Sequence, residues 1–327
     1  MFAIKRILVP TDFSENASKA YSHAQRIASR YGAKIDFIHI IPTLQYFSES
    51  MQQLGMPLDM EKDVYPHAQE RASGKIKKLM DGHLKPENIG KGIVRIEPKP
   101  SKAIAEYAEE KEYDLIVMAA KGRHESDLLR GSFTEKIVRY SEVPVLSIEQ
   151  DTPNQIEHVL LPTDGSQASF NALPVAVSIA LNHDASVTLF HVLELHGSLT
   201  ENVMKNVHES ETENIRDVIY DALDEFFANS WSKGELKRGE GFKSQLVITD
   251  GNSSKTISVT TVIEKAVSAH HGITEYANDH ADLTVLATHG HSGLVHVLLG
   301  STAEKVVQHS ISPILTVKPD YFLKSNN

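Results

Sequence analysis

Short apolar runs alternate along this chain with stretches in which apolar residues recur at every third or fourth position. Ile7–Val9, Ile35–Ile41 and Leu115–Met118 have the length and composition of buried parallel strands. Between the first two, Ala17, Ala20, Tyr21, Ala24, Ile27 and Ala28 share one face at i, i+3, i+4 spacing. That pattern predicts a helix, with Gly32 as its C-terminal stop. Strand–helix alternation of this kind predicts a parallel sheet with helices on both faces. Thr43 to Pro66 fits neither period and is expected to be a loop over the domain edge with room for a short helix. Glu211 to Ala228 predicts a cleaner amphipathic helix.

The pattern occurs twice. Ile7-Leu8-Val9-Pro10-Thr11-Asp12-Phe13-Ser14 returns as Val159-Leu160-Leu161-Pro162-Thr163-Asp164-Gly165-Ser166, and Ile35–Ile40 returns as Val187–Val192, each 152 positions downstream. Asp114–Ala119 answers Asp282–Ala287 at a spacing of 168, and Val143–Ile148 answers Ser312–Val317. A repeat of this length is a domain duplication, with extra residues in the second copy. The polar, proline-containing Gln150–Gln155 is the natural linker, giving expected domains at 1–150 and 156–320. Part of the extra length, Ser244–Thr249 and Thr256–Val262 around Asp250-Gly251, predicts two strands about a turn. An elongated edge hairpin and an arm for partner binding or dimer swapping are both compatible with it.

Composition narrows the function classes. With 327 residues, 41% hydrophobic and 23% charged, the chain is long enough for two ordinary globular domains. It has no cysteine, which excludes disulfides, thiolate nucleophiles and Cys-based metal sites. A net charge of -10 disfavours nucleic acid and anionic membranes as partners. No apolar run approaches the roughly 20 residues of a membrane span. The opening Met1–Val9 runs into a strand without a signal-peptide pattern, so a cytoplasmic protein is expected.

Candidate chemistry concentrates in one stretch. Ala287-Thr288-His289-Gly290-His291-Ser292-Gly293-Leu294-Val295-His296-Val297-Leu298-Leu299-Gly300-Ser301 follows a predicted strand, precedes a helix over Thr302 to His309, and contains no carboxylate. Glycines let the backbone approach a ligand closely, and the amides of Gly300, Ser301 and Thr302 would lie at a helix N-terminus, where phosphate is favoured. Ser301-Thr302-Ala303-Glu304 also reads as a capping box, as does Ser132-Phe133-Thr134-Glu135 in the first copy. Capping and phosphate binding remain alternatives that can coexist.

With these motifs the sequence resembles the universal stress protein family in its tandem form, from Lys5 to Ile148 and from His158 to Lys318. The resemblance implies an α/β fold: two tandem doubly wound parallel-sheet domains of the adenine-nucleotide alpha-hydrolase-like, Rossmann-like type, the second with an extra β-hairpin. ATP-binding members carry G-x-x-G-x9-G-[S/T] and an aspartate after the first strand. The second copy supplies Gly290, nine residues, Gly300 and Ser301, with Ala287 in place of the first glycine. The resemblance assigns Asp164, after Pro162 and Thr163, to the adenosine and Val192 to the base, and places Ala287, His289, Gly290, His291, Gly300, Ser301 and Thr302 in the loop. The first copy is weaker. It keeps Asp12, Gly122, Gly131 and Ser132, but Ala119 replaces the first glycine, only eight residues separate its glycines, and Glu125 and Asp127 add negative charge. Asp12 and Asp164 also fit a bare turn or N-cap role.

Twelve of the 17 histidines lie in the second copy, without His-Glu-x-x-His spacing, and read as ordinary rather than metal-ligating. The leading function is a stress-response regulator that binds adenine nucleotide, ATP first and ADP or AMP as alternatives, with Mg accompanying it. A nucleotide-free interaction scaffold with unknown protein partners is the second reading, and a slow ATPase the third; no residue is assigned a catalytic role. Because family members dimerise by pairing their last strands, Val143–Ile148 and Ile314–Val317 could pair within one chain, giving a pseudo-symmetric monomer, or between chains in a homodimer.

Overall fold

Each period switch in the sequence becomes a strand-to-helix transition in the computed structural model, which describes residues 2–43, 59–120, 132–150, 155–195, 209–251, 253–288, 299–319 and 321. The chain divides into two units, Ala3–Ile148 and Glu149–Asn327, the latter together with Met1–Phe2.

In the first unit, β1 (Arg6–Pro10), β2 (Lys34–Pro42), β3 (Ile89–Glu97), β4 (Leu115–Ala119) and β5 (Val145–Ile148) form parallel pairs in the order β3-β2-β1-β4-β5. Helices α1 (Glu15–Tyr31), α2 (Tyr65–His83), α3 (Pro100–Glu110) and α4 (Ser132–Tyr140) connect them. Helix α1 starts because the Ser14 hydroxyl accepts from the Ala17 amide, and it stops where Gly32 turns left-handed at φ 70° and donates to the Ala28 carbonyl. Its buried face is Ala17, Ala20, Tyr21, Ala24 and Ala28, so the helix lies close on the sheet. Beneath it Phe37 is fully buried, worth about 1.5–3 kcal/mol. Pro66 belongs to α2, near its start, where proline's missing N–H costs nothing; the expected loop therefore ends earlier than the sequence suggested.

The second unit repeats this frame with β6 (His158–Pro162), β7 (Ser186–Glu194), β10 (Ser253–Ala266), β11 (Leu283–Ala287) and β12 (Ile314–Val317) in the order β10-β7-β6-β11-β12. Its helices are α5 (Gln167–Phe170), α6 (Leu173–His183), α7 (Glu209–Asn229), α8 (Ala269–His280) and α9 (Ser301–His309). The counterpart of α1 is split, because Pro174 begins a new helix. Antiparallel strands β9 (Lys243–Asp250) and β8 (Gly234–Arg238) extend the sheet beyond β10. The extra hairpin is thus present, but β10 itself pairs in parallel with β7 and occupies the place of β3. The polar outer strand β8 carries Arg238, which pairs with Asp221 and Asp224 on α7 at 2.8 and 2.7 Å.

In both units the connection reverses direction between the first strand and the fourth, leaving a crevice at the carboxyl ends of β1 and β4, and of β6 and β11. Open parallel sheets bind ligands at such a switch point.

Candidate functional site

At the end of β6 the chain turns sharply into α5. Thr163 is buried, its Oγ1 accepts from the Gly165 amide at 3.0 Å, and it shares a hydrogen bond with Ser169 Oγ at 2.8 Å. Asp164 is exposed, and its Oδ1 accepts from the Ser166 amide at 3.0 Å and the Ser166 hydroxyl at 2.6 Å. Gly165 sits at φ 79°, the left-handed region that glycine enters without steric cost. The neighbouring strand closes this turn from the side: Thr163 N–H donates to the Phe190 carbonyl at 2.9 Å, and His191 Nδ1–H donates to the Thr163 carbonyl at 2.9 Å.

Across the switch point, β11 ends at Ala287. Thr288 continues the sheet with its amide on the Val317 carbonyl at 2.9 Å, and its own carbonyl accepts from Gly300 N–H at 2.8 Å. Gly300 is the N-cap of α9, in a backbone conformation (φ -59°, ψ 141°) that satisfies no amide through a side chain. The capping-box expectation for Ser301–Glu304 is therefore corrected: the helix begins at Ser301, one residue earlier, so this serine is a first-turn residue and not the cap. The first helical bond is Glu304 N–H to the Gly300 carbonyl at 2.9 Å, which leaves the amides of Ser301, Thr302 and Ala303 ahead of it.

These pieces enclose a cavity of about 300 Å³. Pro162, Thr163, Asp164, Val192, Ala287, Gly300, Ser301 and Thr302 all line it, although they come from four separate stretches of sequence. His289, Gly290 and His291 lie outside the described residues. In the first unit Asp12 makes the same turn contact, its Oδ1 accepting from Ser14 N–H at 2.9 Å. Ser132 opens α4, while Gly122 and Gly131 are outside the described residues.

The sequence reading missed part of the lining: Phe190 and His191 on β7, Ala269 and Ile273 on α8, and Leu286 on β11. The alternation along β7, which puts Phe190 on the same face as Val192, was a usable signal for the first of these. Nothing in the α8 sequence distinguishes Ile273 from an ordinary core residue, and His270 and His271 stand in the first turn of that helix. Phe190, Val192, Ile273 and Leu286 give the cavity an apolar wall, stiffened by Phe190 stacking on Tyr276 with ring centroids 4.5 Å apart. Burial first, then the nearby Glu264, holds the Tyr276 hydroxyl above its ordinary value. His270 is held below the usual histidine value by burial and then by Lys305 and His309.

Two helix N-termini reach this cavity, and they differ. The α8 end is already answered by a carboxylate, with Ala269 N–H donating to Glu194 Oε1 at 2.6 Å. The α9 end has no side-chain cap. An apolar slot that ends at the positive end of a helix dipole, where no side chain caps the helix, suits a ligand with a flat apolar body and an anionic tail.

The family model described as the universal stress protein family matches this chain twice, over residues 3–148 and 155–318. The chain belongs to the universal stress protein family. The tandem arrangement has a full-length counterpart in a universal stress protein of Mycolicibacterium smegmatis, 23% identical over 319 residues that cover 96% of this chain and 97% of that one. Universal stress protein MJ0531 of Methanocaldococcus jannaschii is 28% identical over 177 residues, 53% of this chain and 88% of its own. The fold is shared with a universal stress protein of Archaeoglobus fulgidus (TM-score 0.56, 21% identity, 97% of each chain). It is also shared with a putative universal stress protein of Pseudomonas aeruginosa (TM-score 0.59, 16% identity, 98% of this chain and 96% of that one). Among the described residues of this universal stress protein, no helix is long and apolar enough to cross a membrane.

Proposed function

We propose that the second unit, over 156–320, binds an adenine nucleotide and that the protein is a nucleotide-responsive module of the stress response. One observation carries the reading: the uncapped α9 N-terminus opens into the same cavity as Asp164 and the apolar wall. The base lies against Val192, Ile273 and Leu286, the sugar beside Asp164, and the phosphates on the amides of Gly300, Ser301 and Thr302. The rest of the loop, His289, Gly290 and His291, belongs to the same phosphate grip. ATP is the first choice, and ADP or AMP would use the same contacts. Mg would accompany the phosphates, and Asp164 is a carboxylate that lines the cavity.

The first unit, over 1–150, is the weaker site, built on Asp12, Gly122, Gly131 and Ser132. Nucleotide occupancy is read out by protein partners in the cytoplasm, and the molecule is a pseudo-symmetric monomer or a homodimer, which sedimentation distinguishes. Calorimetric titration with Mg-ATP tests the whole reading. One site per chain is the expected result, and two would make the first unit competent. Absence of binding by nucleotide-free protein would replace this reading with that of a scaffold.

A further inference from the structure

His191 offers the cavity one nitrogen whose chemistry the fold has already decided. A carbonyl oxygen can only accept, so the contact from Nδ1 to the Thr163 carbonyl at 2.9 Å puts the proton of the neutral ring on Nδ1. Nε2 then carries the lone pair. It has no partner among the described residues, and His191 is a half-buried residue that lines the cavity. The first unit orients His39 identically, with Nδ1 on the Thr11 carbonyl at 2.7 Å. There the resemblance ends. Phe13, left-handed at φ 63°, lays its ring 4.5 Å from the His39 ring, and Lys75 Nζ lies over the Phe13 ring at 5.1 Å. The second unit has Gly165 at that position, and a Cβ built there would meet nothing within 4 Å.

We infer that His191 is a specificity-determining residue of the second site, accepting through Nε2 from a sugar hydroxyl, and that Gly165 keeps this nitrogen open. Asp164 lines the same cavity, so the site brings two acceptors together, the complement of a ribose cis-diol. The site selects ribonucleotides over deoxyribonucleotides. This inference rests on the nucleotide reading above.

The test is calorimetry on the full chain with ATP, 2′-deoxy-ATP and 3′-deoxy-ATP. The wild type should bind ATP about fivefold more tightly than at least one deoxy analogue, the worth of one hydrogen bond. In H191F, ATP should weaken to the level of that analogue and the ratio should fall to about one, a change that mere loosening of the site would not produce. G165F offers a second route that leaves His191 in place, since Phe13 shows that phenylalanine can occupy this turn; it too should lower the ratio. A wild type that binds all three equally, or variants that keep the preference, would overturn this inference and leave nucleotide binding standing. A wild type that binds none of the three would overturn both.

Discussion

Replacing Gly300 by aspartate separates ligand binding from folding, because the two should respond with opposite sign. Gly300 has an ordinary negative φ of -59°, so a side chain can be added there without backbone strain. Aspartate is a better N-cap than glycine by a few tenths of a kcal/mol, and its charge gains about 0.3–1 kcal/mol from the helix dipole. The folded state should therefore hold its stability or gain about 0.5 kcal/mol. For a phosphate, the same carboxylate is a like charge at about 4 Å, which costs about 1 kcal/mol in a water-like medium and about 4 kcal/mol at the effective dielectric of a protein surface. It also takes the Thr302 and Ala303 amides for itself. The expected loss of affinity is between about fivefold and about a thousandfold.

The assay pairs calorimetric titration of Mg-ATP with urea unfolding of the same preparation. Gly300→Asn serves as the control, since it caps without charge and should lose much less affinity. Wild-type affinity in G300D would refute the assignment of phosphate to this helix end. Affinity and stability falling together would refute the argument that the end is an unfilled cap.

Three further outcomes follow from the geometry. Gly32→Ala should lower the unfolding free energy by about 1–2 kcal/mol in urea titration, because a left-handed residue with φ 70° is required there and nothing else contacts the added methyl; an unchanged midpoint would contradict it. Burial of the Tyr21 hydroxyl, with Asp12 adding to it, pushes its pKa from 10.0 to about 12. Folding therefore favours the neutral phenol, giving a contribution of about 2–3 kcal/mol that is complete below pH 10 and lost as pH rises from 10 to 12. Tyr21→Phe should flatten that part of the stability–pH curve, and an equally steep fall would count against it. Gly272→Val would set a side chain 3.0 Å from both Ala266 and Val192, driving α8 off the cavity wall. It should cost about 1–3 kcal/mol of stability and weaken Mg-ATP binding, and unchanged affinity would remove α8 from the site.

How much of this was legible in the sequence depended on whether the deciding interaction was local. The α1 helix was legible down to its final glycine, because period, cap and stop all lie within neighbouring residues. Strand β10 was legible as a strand but not in its role, since its parallel partner β7 lies more than a helix away in sequence and no turn links them. Strand β8 escaped notice because Gly-Glu-Leu-Lys-Arg alternates too weakly to stand out, as a charged edge strand must. The capping motif at Ser301–Glu304 was real as a pattern but one residue out of phase with the helix, and that single residue decides whether the helix end is filled by its own serine or left for a ligand.

The same logic governs the difference between the two copies. The loop lengths, eight residues against nine, invited the conclusion that only the loop separates a strong site from a weak one. Yet the residue after the aspartate differs as well, Phe13 against Gly165, and both adopt positive φ. An insertion or deletion in a loop changes where amides point, whereas this exchange changes what a fixed histidine can touch. If the two effects are independent, restoring one residue to the first loop should recover phosphate binding without recovering selection for ribose.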